Sequence, residues 1–257
     1  MDNISNIKDQ IYYIVYYKST NTNNKCHLLK TIITLMLRSL ELRWFFKGIL
    51  PIPVYQWFTD ILPGNEKFEE KPRADHYLAT HSIDLGVKFS RQQLQVKIRK
   101  YNVDFTVNNN NIQGSLEYWI RYDWDYLHPQ GNTITEPIYD RFSSIIKIDK
   151  KRLLRKYKVL DNQLVQIPLS NTTDTQCSIE ITTINVKKQT WSTLGFDWFL
   201  NNKIPESIFI VDYITNNKTF NKTIEELFNQ YPDLHLTQKP NSFGYPYLLS
   251  KISKEEK

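Results

Sequence analysis

Glycine is scarce in this chain, with seven in 257 residues, and there are only two cysteines and two methionines. So few glycines argue against a Gly-rich nucleotide-binding fold. No GxxxxGK-Ser/Thr phosphate loop is present, and no GxSxG elbow, HExxH pair or paired CxxC. Cys26 and Cys177 lie far apart and make neither a disulfide framework nor a metal pair, which fits a reducing compartment. The five histidines have no metal-ligand spacing. Long apolar runs are missing too. Leu28–Leu37 is ten residues and contains Lys30, well short of the roughly 20 that cross a bilayer. Asp2 and Asp9 precede the first apolar run and no small-residue cleavage site follows it, so the expectation is a cytoplasmic protein without membrane contact.

What is abundant is aromatic and basic. Aromatics make up 14% of the chain, including 16 tyrosines, which suits strands more than helices. Lys and Arg outnumber Asp and Glu by 33 to 27, a net charge of +6 that favours anionic partners without choosing among phosphates, nucleic acid and lipid.

The most informative stretch is Leu85–Lys100, LGVKFSRQQLQVKIRK. Folded as a hairpin about Ser90-Arg91-Gln92-Gln93, it sets Phe89 against Leu94, Val87 against Val96 and Leu85 against Ile98 on one face. The other face then carries Lys88 against Gln95, Gly86 against Lys97 and Asp84 against Arg99. A slip of one residue would scramble both faces, so agreement between the two strands specifies the register. The polar face is either the lining of an enclosed anion site or a solvated sheet face.

Similar alternation recurs. In Leu40–Phe46, Glu41, Arg43 and Phe45 oppose Leu42, Trp44 and Phe46; in Ser115–Tyr122, Ser115, Glu117, Trp119 and Arg121 oppose Leu116, Tyr118, Ile120 and Tyr122. Arg73–Leu78 and Ser144–Lys150 read as further strands, and a basic run, KKRLLRKYK, begins at Lys150. Cys177–Ile184 sets Ser178, Glu180 and Thr182 against Ile179, Ile181 and Ile184, with a slip at Thr183. Val54–Leu62 reads as a short helix led in by proline, Trp191–Leu200 as a helix weakened by Gly195, and Thr223–Glu226 as a capping box. Asn108–Asn111 is a low-complexity loop tip. Residues 1–35 are expected to be a poorly ordered extension, 36–250 the folded domain and 251–257 a charged, frayed tail. The fold expected is mainly β (a β-rich α+β chain), a closed antiparallel tunnel or barrel of about eight strands with a few short outer helices.

Glu41, Glu117 and Glu180 fall on polar strand faces, interleaved with Arg43, Lys88, Lys97, Arg99 and Arg121. Unpaired charges cost several kcal/mol each when buried, roughly, so a closed interior built this way needs acids, a polyanion or both. A polyphosphate with a divalent cation meets that need: Lys and Arg neutralise phosphate oxygens, and carboxylates hold Mg²⁺ or Mn²⁺. Pairing of each Glu with a neighbouring base on an open sheet is the alternative.

The order LELRWFF, R-A-D-x-Y-L, LGVKF, LQVKIRK and C-S-I-E-I-T resembles the CYTH domain of the triphosphate tunnel metalloenzyme superfamily, from about Met36 to Ile184. The resemblance implies an eight-stranded tunnel that binds a triphosphate group and a divalent metal, Mg or Mn. By position, Arg43, Arg73, Lys88, Lys97, Arg99, Arg121 and Arg152 resemble the phosphate-binding bases, while Glu41, Glu180 and Glu117 resemble the catalytic acids, Glu41 and Glu180 as metal ligands. The ExExK signature is broken. Ser39-Leu-Glu41-Leu-Arg43 leaves serine at the first acid and arginine at the lysine.

Three functions are compatible with these residues. The first is metal-dependent hydrolysis of a triphosphate-bearing compound. The second is a catalytically lapsed relative that binds a nucleotide, polyphosphate or RNA end. The third is a sheet that binds RNA or protein through exposed residues such as Tyr118, Trp119 and the 150–158 run; it ranks below the others because no RNA-binding motif is present.

Overall fold

The computed structural model describes residues 33–64, 68–80, 82–90, 93–107, 112–125, 145–161, 163–168, 170, 176–200, 212–213, 216–232 and 241–254. The expectations for residues 1–32, the Asn108–Asn111 tip and residues 255–257 lie outside them.

Nine strands form one sheet: β1 (Ile33–Lys47), β2 (Phe68–Leu78), β3 (Leu85–Ser90), β4 (Gln93–Val107), β5 (Ile112–Asp125), β6 (Ile145–Leu160), β7 (Gln163–Ile167), β8 (Cys177–Val186) and β9 (Gln189–Leu200). Their order is β2-β3-β4-β5-β1-β9-β8-β6-β7, and pairing of β2 with β6 closes eight of them into an antiparallel barrel, leaving β7 outside. Helix α1 (Ile52–Gln56) runs into a π-helical turn at Trp57–Ile61, and α2 (Lys218–Phe228) and α3 (Tyr245–Lys254) come after the barrel. No described helix is long and apolar enough to cross a membrane.

The barrel is polar within and apolar without, because strand residues alternate between its faces. Leu40, Leu42 and Trp44 of β1 point outward with Ile179, Leu194 and Phe196, and α1, its π-turn and α2 cover them with Trp57, Phe58, Phe220, Ile224 and Phe228. Trp57 stacks on Phe228 at 5.4 Å. Each large apolar side chain fully buried there contributes about 1.5–3 kcal/mol. Under the same helix, Arg155 is wholly buried and donates to the carbonyls of Thr59, Leu62, Pro63 and Gly64.

The β3–β4 hairpin has the register read from its sequence, Leu85 opposite Ile98 through Ser90 opposite Gln93. Four local expectations are corrected. Trp191–Leu200 is strand β9, since Gly195 and Asp197 alternate with buried Leu194, Phe196 and Trp198 across two strand partners. The strand begun near Ser144 continues through the basic run to Leu160, paired to β2, β7 and β8. No slip occurs at Thr183; Ile184 shares the inner face with Glu180 and Thr182 where that face turns apolar. The α2 cap is Asn217, whose side chain accepts from the Phe220 N–H at 2.9 Å, and Thr223 is buried within the helix. In addition, α3 extends to Lys254 and buries Ile252.

Candidate functional site

Every strand of the closed barrel contributes a side chain to one internal cavity of about 150 Å³. Its bases are Arg43, Arg73, Lys88, Lys97, Arg121, Lys150 and Arg152, and its acids are Glu41, Glu117, Glu180 and Asp197. Of the residues singled out from sequence, Arg99 shares the face of Lys97 on β4 but does not line the cavity; it pairs with Glu117 and, at 2.7 Å, with Asp84. Sequence reasoning assigns no cavity role to Asp75, Lys150, Thr182, Asp197 or Tyr245. Lys150 and Thr182 share the parity of neighbouring candidates, whereas Asp197 is hidden by the helical reading of β9.

Acid-centred nests organise the interior. Glu180 accepts from Arg43 Nη1 at 2.5 Å and from Arg152 Nη1 at 2.6 Å. Glu41 accepts from Lys97 Nζ at 2.6 and 2.8 Å and from the Ser39 hydroxyl at 2.6 Å. Asp75, fully buried, receives Ser90 Oγ at 2.5 Å, Lys150 at 3.0 Å, Arg73 at 3.1 Å and Lys88 at 3.6 Å. Glu117 accepts from Arg99 and from Trp119 Nε1.

These partners set the protonation states. Burial alone would raise Glu180, but Arg43 and Arg152 hold it well below the usual carboxylate range. Glu41 is likewise lowered, against burial, by Lys97 and Arg43. Asp75 is held low, against burial, by Lys150 and Lys88. Burial raises Glu117 despite Arg99. Burial opposes the charge on Arg43 as well, yet Glu180 and Asp197 raise its pKa well above the ordinary value. Like Glu117, two more groups are left with burial as the stronger influence. Burial pushes Lys88 down to about 7, with Lys150 and Arg73 adding repulsion against Asp75. Burial pushes Asp197 up to about 7, with Glu41 and Glu180 adding and Arg43 opposing.

One end of the interior is filled by the segment leading into α3. The Phe243 N–H donates to the Arg43 carbonyl at 3.0 Å. A Cβ on Gly244 would come within 2.9 Å of Glu117 and 3.0 Å of Trp119, so only glycine passes without displacing them. Tyr245 places its ring 3.9 Å from Lys150 Nζ and 5.3 Å from Arg43 Cζ, favourable cation–π contacts. Beyond it Leu248, Leu249 and Ile252 pack on Phe45, Ile148, Ile184 and Trp191. The inner face therefore changes from polar to apolar along β1, β6, β8 and β9.

One lining hydroxyl is buried without a partner. It is Oγ1 of Thr182, a residue of the cavity lining.

The divalent metal implied by the family resemblance does not fit this donor set. Both oxygens of Glu180 are taken by arginines, and both of Glu41 by Lys97. Among the described residues no three His, Cys, Asp or Glu side chains gather as a metal site. Of the face expected to be exposed for RNA, Tyr118, Trp119, Lys150, Arg155 and Tyr157 are buried, while Lys151 is exposed and Arg152, Lys156 and Lys158 are half-buried.

No protein-family profile and no curated protein matches the chain. Among solved structures it is similar to the S. pombe Pct1 RNA triphosphatase in complex with the Spt5 CTD. The identity is 9%, over 89% of this chain and 91% of that one, with a TM-score of 0.34. A likeness that distant supports no functional step, so function has to be read from the cavity and its side chains.

Proposed function

We propose that the barrel binds a triphosphate-bearing or polyphosphate ligand in its interior and holds it without hydrolysis. The observation that carries this reading is the convergence of seven Lys and Arg side chains on one walled cavity that has only four acids on its lining. Lys88 supports it further: an ammonium pushed down to about 7 by burial and neighbouring cations gains from an incoming anion. Arg73, Lys88 and Lys150 form one arm of the grip, Arg43 and Arg152 another. Lys97 and Arg121, whose side chains are 34% and 30% exposed, are the most accessible of the seven and so the first to meet an entering anion. Guanidinium groups keep further donors after one ion pair, so the nests can accept phosphate oxygens without first coming apart. Hydrolysis through a metal held by Glu41 and Glu180 is disfavoured because both oxygens of each are already held by bases.

The test is a thermal-shift panel with inorganic tripolyphosphate, pyrophosphate and ATP, followed by phosphate-release assays on each. A ligand that binds only the native state stabilises it by about 2.7 kcal/mol at 100 times its Kd. Tripolyphosphate should raise Tm, and no phosphate should be released. Absence of a shift with all three ligands would refute binding, and sustained phosphate release would refute the non-hydrolytic reading.

A further inference from the structure

The centre of the acid cluster is occupied by a side chain. Arg43 Nη1 lies 2.5 Å from Glu180, Nη2 lies 3.6 Å from Asp197 Oδ1, and Nη1 also reaches Thr193 Oγ1 at 3.4 Å. Glu41 adds its field from the same strand face. Opposite, β9 carries Gly195, and a Cβ there would meet Arg43 Nη1 at 2.6 Å, Cζ at 2.7 Å and Nη2 at 2.8 Å. Any other residue there would displace the guanidinium, so glycine leaves the space in which the guanidinium lies. The Arg43 carbonyl is fixed by Phe243 and its guanidinium faces the Tyr245 ring. This cation is built in from both sides.

We infer that Arg43 is the resident counter-cation of the cavity and that the ligand is therefore taken as the metal-free polyanion, with no divalent ion bridging it to Glu41, Glu180 or Asp197. The inference rests on the polyanion-binding reading and narrows it to free polyphosphate as the species recognised. A guanidinium neutralises facing carboxylates as a divalent ion would, but it is covalently fixed and keeps N–H donors for phosphate oxygens. A second cation among the same acids would meet its repulsion at close range.

Titration of the full chain with inorganic tripolyphosphate, once in EDTA and once in Mn²⁺, tests the inference. Mn²⁺ chelates tripolyphosphate in solution and depletes the free polyanion, so apparent affinity in excess Mn²⁺ should be at least threefold weaker than in EDTA. Equal or tighter binding in Mn²⁺ would overturn the inference while leaving polyanion binding intact. No binding in either buffer would instead overturn the reading beneath it. A second arm uses Mn²⁺ alone, which should leave the wild-type Tm unchanged and raise that of Arg43→Ala, where the acids have lost their cation. A rise in the wild type, or none in a folded Arg43→Ala, would count against Arg43 in this role. Should Arg43→Ala fail to fold, the wild-type titrations decide alone.

Discussion

Lys88 and Asp197 make the interior sensitive to pH in one direction. In the free protein each titrates at about 7, Lys88 shifted down from 10.5 and Asp197 up from 3.8, burial being the largest cause for both. A bound polyanion favours the protonated form of each. Above about pH 7 the free protein has released these protons, so binding takes them up again and affinity falls as pH rises. Lys88→Gln removes one of the two sites. The ratio of wild-type to Lys88→Gln affinity for tripolyphosphate should therefore decline between pH 7 and pH 9, measured by titration calorimetry. The ligand's own ionisation cancels in that ratio. A flat ratio would mean that Lys88 does not meet the ligand. At this scale the alternation of Glu41, Arg43, Lys88, Lys97 and Glu117 was legible because strand parity is a sequence property. The partners were not: Asp75 draws bases from its own strand and from two others, and only folding brings those together.

Among the elements, α3 is the one whose role was least visible. Its charged end reads as a tail, yet Leu248, Leu249 and Ile252 fill the apolar end of the barrel and Tyr245 reaches the bases. Leu248→Ala removes a wholly buried side chain and should cost ~2–5 kcal/mol, measured by urea unfolding. A loss well below 1 kcal/mol would mean that α3 is not part of the cooperative unit. Strand β9 failed as a helix for a related reason. Trp191, Leu194 and Trp198 fall at helical spacing because both strand faces are covered, Trp191 facing inward and Leu194 and Trp198 outward, and Gly195 counts against either element until Arg43 is seen against it. The β3–β4 hairpin succeeded because its two strands check each other and a short turn leaves the register no freedom.

For the molecule as a whole, the buried acids have a cost and a use. They keep the ligand-free barrel folded by neutralising bases that would otherwise stand unpaired, and they compete with any anion that arrives. Breaking a buried pair costs ~3–5 kcal/mol, so Glu180→Gln should destabilise the free protein by roughly that amount. The same change leaves Arg43 and Arg152 short of a charge. Tripolyphosphate should then raise the Tm of Glu180→Gln by more than it raises the wild type. An equal or smaller rise would show that the Glu180 nest is structural and apart from the ligand.

The sequence alone determined most strand faces, the hairpin register and the mainly β class, because period-two alternation and short turns act between near neighbours. It could also place Glu41, Arg43, Lys97 and Glu180 on polar faces. Only the tertiary structure decided that those faces turn inward, since closure depends on β2 meeting β6 across a long span of chain. It also decided that Arg43 stands among the acids, because that position depends on Gly195, Asp197 and Glu180 arriving from two other strands. Local pattern fixes which way a side chain points relative to its strand; what it meets there depends on the packing of distant segments.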